Sequence, residues 1–431
     1  MYSKPPNSNL DKITQNVVPC TVGNHRKGAA KSGDAFRNAQ SAVAFCAVGA
    51  EKAVSNEIKK LGLTVIESGF GKVCFRADKE GLYRSLMGLR VADRVLLEVG
   101  QFHAVDFDAL FEETQAVPWE RLIPAQLGIK ISKVRSNRSR LHAETSIQAM
   151  AHKAIAKRLC RAYSLARLPE TDTAAELRVY VEKDTVSLLL DLSGDPLFKR
   201  GYRAKGGVAP LRETTAAALL LLSGWKRKYP LYDPFCGSGT IPAEALMYAW
   251  DMAPGLGRDF AISRLLIADG KTEERVRDEF RAKINRERRI RIAGSDADAG
   301  AIRLAESNLR TVRDIAGDCD PGSAIPDLRQ IPMDKAQSPF PGDPGDEENS
   351  AGDPAGFILT NPPYGKRLGD PAAAQQTYAE MAVLAKRFPG WKLAVICDHP
   401  GFESFFGRKA DSCREISNGP DRSYFFQYGR L

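Results

Sequence analysis

The sequence predicts an α/β chain in which a small α+β module precedes a doubly wound, mostly parallel sheet. Two observations predict this. Short strand-like and helix-like segments follow one another closely as far as residue 195, and from Pro196 strands alternate with longer helices. At 431 residues, 43% hydrophobic and 27% charged, the chain has the composition of a globular protein with room for roughly two to four domains.

Residues 1–40 are polar, weakly basic and without periodicity, and read as a disordered arm. Val43 to Cys46 reads as a strand, Glu51 to Leu61 as a helix, Lys72 to Phe75 as a strand, Glu80 to Leu89 as a helix and Asp93 to Val99 as a strand. A second α+β stretch follows. Its strand, Gly128 to Val134, alternates Ile129, Ile131 and Val134. Thr145 to Tyr163 carries Ile147, Met150, Ala151, Ala154, Ile155 and Leu159 on one helical face. Leu177 to Val181 and Val186 to Leu192 form a hairpin.

Beyond Pro196 the expected helices are Thr214 to Leu222, Thr240 to Trp250, Lys271 to Arg289, Ala299 to Arg310 and Ala373 to Arg387. The expected strands are Leu231 to Asp233, Ile292 to Asp296, Phe357 to Thr360, Lys392 to Cys397 and Ser423 to Tyr428. Between them, Ser338 to Pro354 is an acidic loop without core formers.

Several function classes are excluded. No apolar run approaches the ~20 residues of a membrane helix, and the first forty residues lack the apolar block of a secretory signal. The cysteines, at Cys20, Cys46, Cys74, Cys160, Cys236, Cys319, Cys397 and Cys413, include no CxxC pair. That argues against a disulfide framework or zinc ribbon and for a reducing, cytoplasmic setting. The histidines His25, His103, His142, His152 and His399 show no ligand spacing, so no metal is expected.

The net charge of +9 is concentrated. Between Ile129 and Arg161 lie Lys130, Lys133, Arg135, Arg138, Arg140, Lys153, Lys157, Arg158 and Arg161, against the single acid Glu144. Such a patch is the footprint of a polyanion, and phosphates are the usual reason to cluster Lys and Arg. The strand-loop-helix order is expected to hold these charges on one rim, with His142 contacting the polyanion or capping the helix.

Three motifs carry chemistry. In Leu231-Tyr232-Asp233-Pro234-Phe235-Cys236-Gly237-Ser238-Gly239-Thr240 a strand runs into a glycine-rich turn that opens a helix. Gly237 and Gly239 let the backbone approach a ligand, and a terminal Asp233 suits an ammonium group better than a phosphate. The turn lacks the lysine of a Walker loop. Asp296 closes a later strand, where a carboxylate accepts the two hydroxyls of a ribose, although an Asp there also serves as a helix N-cap. In Thr360-Asn361-Pro362-Pro363-Tyr364-Gly365 the two prolines stiffen a turn. Asn361 and the Pro362 carbonyl then form converging acceptors for an NH₂ group, and Tyr364 offers a face for a base to stack on. Cys236 and Cys319 have no base nearby in sequence and read as structural.

Asp233 to Thr240, Asp296, and Asn361 to Tyr364, in that order, resemble class I S-adenosylmethionine-dependent methyltransferases of exocyclic amino groups. Lys199 to Arg203, Ala209 to Glu213 and Ala253 to Gly255 are similar to segments of the THUMP-domain RNA guanine-N2 methyltransferases. Ser139 to His142 with the basic helix looks like the THUMP domain itself. The likeness runs from Ser41 to the C-terminus. It departs from the two-methyltransferase fusions of enteric bacteria, since this chain has room for one catalytic domain.

The resemblance implies a ferredoxin-like subdomain over 41–110, a THUMP domain over 111–195 and a Rossmann-like methyltransferase domain with a seven-stranded sheet over 196–431. It further implies S-adenosylmethionine as cofactor, held by Asp233, Phe235, Gly237, Gly239, Asp296 and, at the adenine amine, Asp334. Asn361, Pro362, Pro363 and Tyr364 would handle the target base. RNA, 23S rRNA ahead of tRNA, would lie on Lys130, Lys133, Arg135, Arg138, Arg140, His142, Lys153 and Lys157. Adenine-N6 methylation and a catalytically silent RNA-binding module stay open, as does the oligomeric state.

Overall fold

The structure, a computed structural model, describes residues 39–203, 211–317, 324–340, 354–363, 371–418 and 421–431. The N-terminal half runs β1 (Gln40–Phe45), α1 (Glu51–Lys60), β2 (Thr64–Gly69), β3 (Lys72–Ala77), α2 (Lys79–Gly88), β4 (Arg94–His103), α3 (Phe107–Ala116), β5 (Gly128–Asn137), α4 (Glu144–Tyr163), β6 (Ala174–Glu182) and β7 (Thr185–Asp191). Its strands form one sheet in the order β2-β3-β1-β4-β7-β6-β5. The ten-residue β4 makes this possible. Residues 94–97 pair with β1 on one side and residues 96–103 with β7 on the other, the latter across a register shift between Glu98 and Gly100. The segments expected as two modules therefore share a continuous sheet.

The C-terminal half contains α5 (Glu213–Leu222), β8 (Leu231–Asp233), α6 (Thr240–Ala249), α7 (Gly270–Ala282), β9 (Ile292–Asp296), α8 (Ala299–Ile315), β10 (Asp327–Gln330) and β11 (Phe357–Thr360). It closes with α9 (Pro371–Glu380), α10 (Val383–Arg387), β12 (Lys392–Cys397), α11 (Phe402–Phe406), β13 (Ser412–Asn418) and β14 (Asp421–Arg430). Here the strand order is β10-β9-β8-β11-β12-β14-β13. The pairings β10–β9, β9–β8, β8–β11 and β11–β12 are parallel, and β14 joins antiparallel. β8 and β11 are buried throughout, as parallel strands covered on both faces must be. The sheet order reverses between β8 and β11, and ligands of open α/β sheets sit outside the strand ends at such a point.

Several expectations need correction. β2, β10 and β13 lie next to or at sheet edges, where partly exposed strands such as Asp-Leu-Arg-Gln need no apolar alternation. They escaped notice, as did α3 and the five-residue α11. The helix expected from Lys271 to Arg289 stops at Ala282. Its basic tail leaves the helix and holds neighbouring backbone at the surface: Arg286 and Arg288, with Arg291 just beyond, donate to the carbonyls of Ala316, Ala249 and Lys228. The helix expected from Ala373 to Arg387 is interrupted where Met381 enters the core. The arm through residue 38 and residues 341–353 of the acidic loop lie outside the described residues.

The two halves share one hydrophobic core, in which Leu82, Met87 and Val95 belong to the same buried cluster as Leu246, Trp250 and Phe280. Gly255 shows how closely they approach: a Cβ there would lie 2.7 Å from the Met87 Cα, so only glycine fits. Arg200 is the polar peg of this junction. It is 2% exposed, its Nε lies 3.3 Å from Glu244 Oε1, and it donates to the carbonyls of Leu197 and Arg90. Among the described residues no helix is long and apolar enough to cross a membrane.

A buried ion pair broken on one side leaves the other charge uncompensated. Arg200→Met should therefore cost about 3–5 kcal/mol of stability in urea denaturation. A loss below about 1 kcal/mol would show that the junction does not depend on this guanidinium.

Candidate active site

The site is built where β8, β9 and β11 end side by side. Asp233, last residue of β8, is 2% exposed. Its Oδ1 accepts from the Thr360 hydroxyl at 2.6 Å and from the Phe235 N–H at 3.1 Å. No cationic side chain among the described residues pairs with it. Burial pushes its carboxyl up to about 7, and the nearby Asp296 charge adds to the shift, against the pull of the Thr360 hydroxyl.

The glycine-rich turn passes over this carboxylate. Gly237 and Gly239 have φ of +51° and +77°, a region costly for other residues. A Cβ at Gly239 would stand 2.8 Å from the Ala305 Cβ of α8, whereas one at Gly237 would meet no atom of the described residues within 4 Å. Gly239 thus permits close helix packing, and Gly237 borders open space among the described residues. Asn308 of α8 holds the turn by donating to the Ser238 carbonyl at 2.9 Å. Burial, reinforced by Asp233 and Asp296, pushes the Cys236 thiol well above its ordinary value, which disfavours the thiolate that a nucleophile needs.

Asp296 ends β9 and faces the turn. Its Oδ2 accepts from the Gly237 N–H at 2.9 Å and its Oδ1 from the Asp298 N–H at 3.0 Å. Each oxygen keeps a lone pair for another donor. The N-cap of the following helix is Asp298, which accepts from the Gly300 N–H. Asp334 is exposed in the turn after β10, while its neighbour Met333 is buried. Phe235 is half-buried against the cluster that includes Tyr232 and Phe388.

Thr360 joins the third motif to the first, since its hydroxyl grips Asp233 just before Asn361. Asn361 and Pro363 are half-buried and Pro362 is buried. Tyr364 lies outside the described residues. Three contributors went unassigned from sequence: Thr360, Asn308, and Arg203, which donates to the Thr240 hydroxyl at 2.7 Å. Only Thr360 left a signal, as the one polar residue in the strand Phe-Ile-Leu-Thr.

The basic stretch divides, contrary to the single rim expected, because α4 runs back along β5. Gln148 of α4 donates to the Ile131 carbonyl, and Glu144 pairs with Arg135 at 2.8 Å. Lys130, Lys153 and Lys157 line a groove of about 1110 Å³ with His152, and Lys157 also lies over the Phe111 ring. Arg135, Arg138, Arg140 and His142 gather at and beyond the other end of β5, with Arg135 about 17 Å from Lys130 along the strand. There the Arg140 N–H donates to Asp184, and His142 Nδ1–H donates to the Arg140 carbonyl. Lys133 is exposed between these groups, and partial desolvation and the nearby Arg178 and Arg135 lower its ammonium below the usual value. Arg158 is spent on Glu120.

Comparison with known proteins decides the family. The methyltransferase domain described as RMKL-like matches residues 200–315 and 348–423, and the RlmL ferredoxin-like domain matches 41–96. "Putative RNA methyltransferase YpsC" of Bacillus subtilis (strain 168) is 32% identical over 90% of this chain and 95% of its own length. The chain belongs to the RMKL-like methyltransferase family. The ribosomal RNA large subunit methyltransferase K/L of Syntrophotalea carbinolica (strain DSM 2380 / NBRC 103641 / GraBd1) is 31% identical over 86% of the chain, which spans only 51% of that enzyme. Among solved structures, SMU.472, "a putative methyltransferase complexed with SAH", superposes with a TM-score of 0.77 at 32% identity, covering 92% of this chain and 99% of that one.

The cofactor of this RMKL-like methyltransferase is S-adenosylmethionine, and the residues in place fit it. A buried carboxylate without a cation suits the methionyl ammonium, the open space at Gly237 admits a ligand against the backbone, and Asp296 has lone pairs for ribose hydroxyls.

If Asp233 receives the ammonium, it must be ionised to do so. Cofactor affinity should rise about tenfold per pH unit up to about 7 and then level off. In the free protein the sign is opposite. The native state keeps a proton that the unfolded chain releases above about 4, so this group costs stability as pH rises from there to about 7. Calorimetric titration with S-adenosylhomocysteine at pH 6, 7 and 8 checks the affinity. Asp233→Asn should bind weakly at all three, and a wild-type affinity flat across the range would remove Asp233 from the ammonium site.

Proposed function

We propose that this chain is an S-adenosylmethionine-dependent RNA methyltransferase acting on the exocyclic N2 amine of a guanine, in large-subunit ribosomal RNA. The observation that carries the reading is the Thr360–Asp233 hydrogen bond, which fixes Asn361-Pro362-Pro363 beside the cofactor turn. S-adenosylmethionine, when bound, supplies a methyl group on a positively charged sulfur. The protein's task is then to hold the acceptor amine in line. The amine is delocalised into the guanine ring and nucleophilic only when its lone pair is directed. The Asn361 side chain and the Pro362 carbonyl accept its two N–H groups, aim the lone pair, and stabilise the positive charge that grows on nitrogen. Tyr364 stacks on the base, a contribution of ~1–3 kcal/mol.

RNA as substrate is supported by the names of the two relatives and by the divided basic surface on the N-terminal half. We read residues 111–195 as a THUMP-type RNA-binding module. A cleft of about 830 Å³, lined by Arg94, Arg203 and Arg258, shares Asp172 and Ala174 with the groove of Lys130, Lys153 and Lys157. The two run together from the basic helix to Arg203, which reaches the Thr240 hydroxyl. Adenine-N6 methylation uses the same acceptors, so nucleoside mass spectrometry of rRNA and tRNA from cells with and without this chain is the deciding measurement. Loss of N6-methyladenosine with N2-methylguanosine unchanged would overturn the guanine assignment.

Asn361→Ala should lower turnover about 100-fold or more, as removal of a transition-state hydrogen bond does, with S-adenosylhomocysteine affinity unchanged. Wild-type turnover on RNA would refute the role given to Asn361.

Each phosphate contact steepens the fall of log affinity with log salt by ~0.7–0.9. Replacing Arg135, Arg138 and Arg140 by Ala should flatten that slope by ~2, and replacing Lys130, Lys153 and Lys157 should do the same independently. An unchanged slope in either triple variant would remove that end of β5 from the RNA surface.

A further inference from the structure

We propose that the catalytic half carries a second phosphate-binding surface, at the end of its sheet remote from the cofactor turn, which holds the substrate RNA outside its target nucleotide. Two loops build it. Residues 224–230 lead into β8, and residues 283–291 lead from α7 into β9. Both therefore lie at the amino ends of strands whose carboxyl ends carry Asp233 and Asp296. The five residues of β9 separate its two ends by about 13–17 Å.

β8 and β9 pair in parallel with Leu231 opposite Ile292, which sets the loops side by side. The Leu231 N–H donates to the Arg291 carbonyl at 2.8 Å, and the Asn285 N–H to the Trp250 carbonyl at 2.8 Å. Asp251, at a φ of +58°, takes Arg227 on Oδ1 and Arg288 on Oδ2, so one carboxylate clamps both loops. What faces outward is positive. Lys226, Lys228, Lys283, Arg286 and Arg289 are exposed, and Glu287 is the one acid within the two loops. No carboxylate among the described residues pairs with Lys226, Lys283 or Arg286. Arg286 donates to the Ala316 carbonyl, and Lys283 lies over the Phe280 ring. Cations clustered on a fixed backbone are what a chain of phosphates rewards. A protein partner would need an apolar or aromatic anchor. The exposed large hydrophobics among the described residues, Phe70 and Leu266, lie in neither loop. Phosphate contacts position a nucleic acid without reading its sequence, so a surface remote from the reacting base can take this role.

The surface rests on the RNA reading above. Its test uses the full chain, in vitro transcribed large-subunit ribosomal RNA and a salt series. Replacing Lys226, Lys228 and Lys283 together by Gln should flatten the slope of log affinity against log salt by ~2. KM for the RNA should rise about tenfold or more, with kcat within about twofold of wild type, because ground and transition states lose the same contacts. S-adenosylhomocysteine affinity should not change. The matching triple variant Lys226→Arg, Lys228→Arg and Lys283→Arg keeps the charge and should keep the slope. A wild type that neither binds nor methylates the RNA would overturn the ribosomal RNA reading itself. Wild-type binding with an unchanged slope in the Gln variant would overturn this surface alone, as would a fall in kcat at constant KM. Polyglutamate stands in for an acidic protein. Affinity for it that the Gln variant loses, with RNA binding intact, would assign the loops to such a partner instead.

Discussion

The buried carboxylate of Asp233 sets the terms for the whole catalytic end of the sheet. An anion so deeply enclosed must be hydrogen-bonded, neutralised or paired with a ligand cation. Thr360 and the Phe235 N–H supply the hydrogen bonds and thereby draw β8 and β11 together at the point where strand order reverses. The glycine-rich turn must then clear the carboxylate without side chains, which explains the positive φ at Gly237 and Gly239 and the anchoring of the turn by Asp296 and Asn308. The ends of the central strands and the path of the turn are thus organised around a single buried carboxyl.

Much of the catalytic half was legible because its signals are local. A strand ending in Asp before Gly-Ser-Gly, and a strand ending before Asn-Pro-Pro, each report their place in the fold through backbone constraints a few residues long. Thr360 and Asn308 were silent for the opposite reason. Their partners lie 127 and 70 residues away, and a buried hydroxyl or amide has no sequence pattern. Edge strands were missed where one-sided exposure erased the alternation that marks a strand. The backbone contacts of Arg286, Arg288 and Arg291 were missed because charge reads as a solvated helical face unless carbonyls happen to be in reach.

The basic segment shows how chain geometry redistributes what composition concentrates. Nine cations within 33 residues became two groups at opposite ends of one strand, because an antiparallel helix of 20 residues returns along it. Some were also consumed internally, as Arg158 was by Glu120. A charge count thus overstates what a polyanion would meet, and placement decides its reach.

The shared core has a further consequence. Because β4 knits the N-terminal sheet together and Gly255 lets the two halves close on each other, part of each half's apolar interior is completed by the other. Opening one exposes apolar surface of the other, so their stabilities are coupled. Free energy gained at one end is then felt throughout. Cofactor at a hundred times its dissociation constant stabilises the native chain by about 2.7 kcal/mol, and the N-terminal half inherits that protection from opening and proteolysis without touching the ligand.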